Sequence, residues 1–86
     1  ETIHLTPTEF KLLEVLVRHA GRIVTQEELI RQTWGEQYMD DIGYVRRYVW
    51  HLRKKIEPDP NNPFYIHNDR GYGYRFQVET AGSRAG

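Results

Sequence analysis

The segment from Asp41 to Glu57 constrains the fold most, because its apolar residues recur at the spacing of one long amphipathic helix. Pro58 and the DPNNP stretch that follows it prevent this helix from continuing. At about 100° per residue, the apolar side chains fall on one face, which we expect to contact the core. The members of this face are Val45, Tyr48, Val49, Leu52 and Ile56.

The opposite face of the predicted helix is positively charged. Its members are Gly43, Arg47, Trp50 and Lys54, with Arg46 and Arg53 on one flank and His51 on the other. The whole chain has 12 Lys and Arg against 12 Asp and Glu, so the compensating acids lie elsewhere. A face that only meets solvent usually mixes both signs, and an exposed Trp indicates a surface that a partner covers. Guanidinium groups on a helix suit a DNA major groove, because they bind guanine edges or phosphates.

A first helix is predicted upstream, within LTPTEFKLLEVLVRHAG. Thr6 is placed as the N-cap, Pro7 as the first helical residue and Glu9 as the acid of a capping box, and Gly21 follows as a stop signal. The apolar residues that recur at helical spacing are Phe10, Leu13, Leu16 and Val17.

A second helix is predicted within TQEELIRQTWG, where Thr25 and Glu28 form a second capping-box signal and Gly35 ends the element. Its apolar residues are Leu29, Ile30 and Trp34. The short link between the two helices, Gly21 to Val24, predicts that they pack as neighbours.

The C-terminal part of the chain predicts a β-hairpin, because FYIHNDRGYGYRFQV has two β-prone runs around Asn68 to Gly71. Arg70 lies at the predicted tip, where it could enter a DNA minor groove. The adjacent glycines are also explained by the geometry of a tight turn. We further expect a short strand at Ile3 to Leu5, a loop at EQYMDD (residues 36–41) and a disordered tail at residues 79–86.

Composition excludes several function classes. At 86 residues the chain forms one domain, and 13% aromatic residues predict a packed core. No cysteine is present, and the four histidines lack metal-binding spacing, so we expect no metal site. No nucleophile, phosphate-loop or paired-carboxylate motif is present. We therefore expect a binding domain with no cofactor and no enzyme activity.

The motifs LTPTEFKLLEVL, TQEELIRQTWG, VRRYVWHLRKKIEPDP and DRGYGYRF together resemble the C-terminal effector domain of OmpR/PhoB-type response regulators. The resemblance covers about residues 3 to 78, and YVRRYVWHLRKKIE most closely resembles the potassium-responsive KdpE branch. It implies an α+β winged helix-turn-helix at residues 1–78, with three helices, a C-terminal hairpin wing and a remnant N-terminal strand. The implied function is sequence-specific binding of double-stranded DNA by the output domain of a two-component system that controls transcription.

The resemblance also implies roles for individual residues. The long helix becomes the recognition helix, in which Arg46, Arg47, Trp50 and His51 match positions that face the bases or the groove. Positions that contact the DNA backbone are matched by Trp34, Arg53, Asn68 and Tyr74, and Arg70 matches the wing arginine. The EQYMDD loop matches the loop that faces RNA polymerase, with Glu36, Gln37, Tyr38, Met39 and Asp40 as its candidate residues.

The partners that the resemblance implies are double-stranded DNA arranged as direct repeats, RNA polymerase and a receiver domain in the full-length protein. A cytoplasmic location without membrane contact and a monomeric isolated chain are expected with them. The alternative is a winged-helix protein-interaction module without DNA readout, in which Trp50, Tyr38 and Met39 would form the patch. RNA binding is less favoured, because the chain lacks an aromatic platform for stacking single-stranded bases.

Overall fold

The computed structural model describes residues 3–38, 42–69 and 72–77, without the side chain of Ile42. Within these residues the structure has three helices and three short strands, and the predicted α+β winged helix-turn-helix is confirmed. The helices are α1 (Pro7–Arg18), α2 (Gln26–Thr33) and α3 (Ile42–Ile56), and the strands are β1 (Ile23–Thr25), β2 (Ile66–Asp69) and β3 (Gly73–Phe76). A 3₁₀ turn at Glu36–Tyr38 lies between α2 and α3. The tail predicted at 79–86 lies outside the described residues.

The start of α1 is fixed by a complete capping box, as predicted. The Thr6 side chain accepts a hydrogen bond from the Glu9 backbone N–H at 3.1 Å, and Glu9 Oε1 accepts one from the Thr6 N–H at 3.0 Å. Pro7 occupies the first turn, where its missing N–H removes no helical hydrogen bond. These contacts satisfy backbone donors that the helix itself leaves free.

The start of α2 matches the prediction only in part. Thr25 is the N-cap and accepts from the Glu28 N–H at 3.1 Å. The Glu28 carboxylate does not return to the N-cap backbone, because it accepts hydrogen bonds from Arg31 and Gln32 instead. The predicted reciprocal capping box is therefore reduced to a single capping bond.

The buried face of α1 differs from the predicted one. Leu12, Val15 and Leu16 are fully buried, whereas Phe10 is 60% exposed and Val17 is 47% exposed. The helix has apolar residues on most of its circumference, so the 3.6-residue period alone fits more than one orientation. Of the predicted face, Leu16 lies in the core and Leu13 packs against it while remaining partly exposed, whereas Phe10 and Val17 do not.

The core joins all three helices to the sheet. The hydrophobic side chains that are at most 4% exposed come from every helix and strand: Leu12, Val15, Leu16, Val24, Leu29, Ile30, Val45, Val49, Leu52, Ile66 and Tyr74. On α3 the predicted apolar face is confirmed, since Tyr48 and Ile56 pack against this cluster while remaining partly exposed.

The three strands form an antiparallel sheet in the order β1–β3–β2. The predicted hairpin is confirmed as β2 and β3, with Ile66 opposite Phe76 and Asp69 opposite Gly73. The predicted strand at Ile3–Leu5 is not observed, since this segment has no regular structure. The third strand comes instead from the link between α1 and α2, where Val24 lies opposite Tyr74. Among the described residues, no helix is long and apolar enough to cross a membrane.

Candidate nucleic-acid interface

The side of α3 that faces away from the core carries the positive charge. Its exposed residues are Gly43, Arg46, Arg47, Trp50 and Lys54, and His51 is partly buried beside them. Within residues 3–38, 42–69 and 72–77, Arg46, Arg47 and Lys54 take part in no ion pair with a carboxylate. The predicted orientation of the helix is thus confirmed, and its basic face keeps its charge available for a partner.

Aromatic rings lie beneath two of these cations. The Arg47 guanidinium carbon is 5.8 Å from the centre of the Tyr44 ring, and Lys54 Nζ is 5.9 Å from the centre of the Trp50 ring. Attraction between a cation and a ring face orients the cation without neutralising it. Trp50, 38% exposed, therefore belongs to the same surface as the charges rather than to a separate apolar patch.

Trp34 lies where the end of α2 meets α3. Its ring stacks on Tyr44 with 5.7 Å between the ring centres, and it meets Tyr48 edge-on at 5.2 Å. The side chain is partly buried and packs against the core. Trp34 thus packs the end of α2 against α3. Its contact with a DNA backbone stays a prediction.

Arg53 points toward the hairpin rather than outward from α3. Its Nε and one terminal nitrogen donate hydrogen bonds to the Ile66 carbonyl oxygen at 3.2 and 2.8 Å. The guanidinium also lies over the Tyr74 ring, 5.9 Å from its centre. Burial lowers the pKa of Arg53 from its ordinary value, although a guanidinium remains charged in proteins. In this arrangement the guanidinium is engaged within the domain, and its contact with the DNA backbone stays a prediction.

The hairpin residues differ in their accessibility. Tyr74 is only 2% exposed and packs in the core, and its contact with DNA stays a prediction. Asn68 is exposed on β2 and remains available. The predicted wing arginine, Arg70, lies outside the described residues.

The loop after α2 begins with the 3₁₀ turn, in which Glu36, Gln37 and Tyr38 are all exposed. Glu36 pairs with Arg31 at 3.4 Å, and Tyr38 contacts the Tyr44 ring at 5.8 Å between centres. Met39 and Asp40, the other predicted polymerase-facing residues, lie outside the part of the chain that the structure describes.

Glu57, directly after α3, was missed by the sequence analysis. It is 6% exposed, and its carboxylate accepts hydrogen bonds from the backbone N–H groups of Phe64, Tyr65 and Ile66 at 2.6 to 3.0 Å. A carboxylate just before a proline gives no pattern that predicts such contacts. Its partners are backbone groups, which have no signal in the sequence.

Lys55 does not contribute to the basic face, although it belongs to the same charged segment. Its Nζ lies 2.6 Å from Glu9 Oε1 and 2.9 Å from the His4 carbonyl oxygen. Burial acts to raise the pKa of Glu9, but the hydrogen bond from Lys55 and the capping bonds with Thr6 lower that pKa overall. This pair ties α1 to the end of α3.

A helix with an exposed basic face, preceded by two packed helices and followed by a hairpin, defines a winged helix-turn-helix domain. The chain belongs to the family described as transcriptional regulatory protein, C terminal, which matches residues 1–76. This result confirms the resemblance to the effector domains of OmpR/PhoB-type response regulators.

Individual proteins with similar sequences are consistent with membership of this family. The KDP operon transcriptional regulatory protein KdpE of Escherichia coli is 45% identical over 78 residues, which are 91% of this chain and 35% of that protein. KdpE of Mycobacterium tuberculosis is 43% identical over 76 residues, 88% of this chain and 34% of that protein. The chain therefore spans about a third of the length of these relatives.

A solved structure of the same fold was determined with DNA bound. The DNA-binding domain of Klebsiella pneumoniae RstA, crystallised in complex with the RstA box, has a TM-score of 0.77 and is 30% identical. The match covers 90% of this chain and 76% of that chain. The DNA-binding domain of CpxR from E. coli is similar at a TM-score of 0.77 and 28% identity, covering 93% of this chain and 78% of the other.

Proposed function

We propose that this domain binds double-stranded DNA in a sequence-specific way, as the output domain of a two-component response regulator that controls transcription. The observation that carries the proposal is the exposed face of α3. There Arg46, Arg47 and Lys54 lie together without carboxylate partners among the described residues, in a chain whose formal net charge is zero. DNA phosphates and guanine edges supply the acceptors that such a surface requires.

In the proposed complex α3 enters the major groove. Arg46, Arg47, Trp50 and His51 face the bases or the walls of the groove, and Lys54 lies on the same exposed surface. Asn68 and the edge of Trp34 contact the sugar-phosphate backbone, and Arg70 reaches the neighbouring minor groove. RstA supports this arrangement, because its similar DNA-binding domain was solved in complex with a DNA box.

The remaining partners belong to the same proposal. RNA polymerase would contact the loop that begins at Glu36–Tyr38 and continues through Met39 and Asp40. A receiver domain, DNA sites arranged as direct repeats, a cytoplasmic location and a monomeric isolated chain complete it. The KdpE relatives support this regulatory setting, since both are named as transcriptional regulatory proteins. A protein-interaction module without DNA readout is not favoured, because the surface around Trp50 is cationic rather than apolar.

Arg47→Ala is expected to weaken binding to the preferred site by about 1–3 kcal/mol and to relax the preference at one base pair, because a base-edge contact is lost. A duplex that the wild-type chain selects from a random pool supplies the preferred site, and binding to its single-base variants is then measured for both proteins. Arg18→Ala is the matched control, since it removes an exposed arginine from α1 instead.

The control should keep both the affinity and the base preference of the wild type within a few-fold. If Arg47→Ala lowers affinity uniformly across all single-base variants, Arg47 contacts phosphate and the assignment of base readout to this position fails.

A further inference from the structure

Two charged side chains at the C-terminal end of α3 form hydrogen bonds with the same segment of the hairpin backbone. Arg53 donates two hydrogen bonds to the Ile66 carbonyl oxygen, at 3.2 and 2.8 Å. Glu57, one helical turn later, accepts a hydrogen bond from the Ile66 N–H at 2.8 Å. A donor on α3 and an acceptor directly after α3 thus bind both backbone polar groups of a single strand residue.

The position of Ile66 explains why these groups need partners. β2 is an edge strand, since the sheet order is β1–β3–β2, and Ile66 is its first residue and fully buried. The neighbouring Tyr65 carbonyl accepts from the Gln77 N–H on the β3 side at 2.7 Å. Because successive residues of a strand direct their backbone groups to opposite edges, the Ile66 groups point away from β3. Buried backbone groups at such an edge are costly unless they are paired.

A contact with the ring of Tyr74 also fixes the position of the Arg53 side chain. Its guanidinium lies over the Tyr74 ring of β3, so it contacts both strands of the hairpin. A rotation of Arg53 toward a DNA phosphate would break two hydrogen bonds, uncover the Tyr74 ring and leave the Ile66 carbonyl without its donor. These costs oppose use of the side chain as a phosphate contact.

We propose that Arg53 and Glu57 form a clamp on Ile66 that fixes the wing relative to the recognition helix, and that Arg53 is a positioning residue rather than a phosphate contact. The role in DNA recognition rests on the proposed function. A wing and a helix that must enter adjacent grooves together bind well only if their relative position is set before binding.

The salt dependence of DNA binding separates the two roles of Arg53. Arg53→Ala is expected to lower affinity for a selected duplex by about tenfold, the size that charge-assisted hydrogen bonds support. The slope of log affinity against log salt should stay that of the wild type, because no phosphate contact is lost. Loss of a phosphate contact would instead make this negative slope less steep by about 0.9. Lys54→Ala, from the exposed face next to it, is the control that should reduce the slope by that amount.

Arg53→Lys is a second variant, for the case that Arg53→Ala does not fold. It keeps the positive charge and removes the double hydrogen bond. A phosphate contact would largely survive this change, whereas the clamp would not, since a lysine ammonium lacks the planar fork of arginine. We expect Arg53→Lys to lose nearly as much affinity as Arg53→Ala, with the slope unchanged.

Amide hydrogen exchange in the free protein tests the clamp without DNA. In Arg53→Lys, exchange at β2 and β3 should be about tenfold faster or more, while Val49 in the middle of α3 keeps its wild-type protection. Unchanged exchange in the hairpin, or a salt slope reduced by about one, would overturn the inference. If the wild type binds no duplex, the proposed function fails, and the exchange result alone still decides whether the clamp exists.

Discussion

Leu52→Ala is expected to lower the free energy of unfolding by about 2–5 kcal/mol, because it removes a fully buried side chain and leaves a cavity that its neighbours fill only in part. Leu52 lies on the core face of α3 with Val45 and Val49, which are buried to the same degree. Small domains have a total stability of roughly 5–15 kcal/mol, so this single change removes a large share of it. Chemical denaturation of the wild type and the variant measures the difference.

Lys54→Ala is the matched control for this measurement, since it lies two residues further on the exposed face of the same helix. Surface changes of this kind usually alter stability by no more than about 0.5 kcal/mol. Equal stability of Leu52→Ala and the wild type would mean that α3 is rotated differently, and the basic face would then be assigned to the wrong residues.

Gly73→Ala is expected to destabilise the domain by about 1–3 kcal/mol or more, because the added methyl group has no space. A Cβ at Gly73 would lie 2.0 Å from the Val24 carbonyl oxygen and 2.8 Å from the Thr25 Cα. Both are backbone atoms of β1, so β1 and β3 would have to move apart. Thermal unfolding followed by circular dichroism measures the loss.

The control for this change is Tyr72→Ala, at the neighbouring position, where the side chain is 72% exposed. It should melt close to the wild type. A Gly73→Ala variant that also melts like the wild type would contradict the pairing of β1 with β3, and with it the third strand of the sheet.

The sequence predicted α3 and its two faces because several signals agree there. Leu52 and Val49 follow the helical period, Pro58 marks the end, and charged residues occupy most of the remaining circumference. In α1 the apolar residues extend around most of the helix, so the period could not decide between Phe10 and Leu12 as the core position. The choice depends on packing against α2 and α3, which a single helix does not encode.

Other parts of the site depend on contacts with backbone groups that are distant in the sequence. β1 has only three residues, too few to show an alternating pattern, and it forms because β3 offers a free edge. The sequence assigned Arg53 to the basic face of the helix. The position of its partner, a carbonyl oxygen 13 residues away, is set by the tertiary fold. Neither a strand of this length nor a backbone acceptor leaves a signal in the local sequence, so both are visible only in the folded structure.

The salt dependence of binding to a fluorescently labelled duplex tests the central claim most directly, namely that the exposed face of α3 is a DNA-binding surface. With roughly five phosphate contacts, the wild-type chain should bind with a slope of log affinity against log salt of about −4 to −5. This dependence arises because the protein displaces counterions from the DNA. A slope near zero, or no binding at low salt, would contradict the account and favour a surface that contacts another protein.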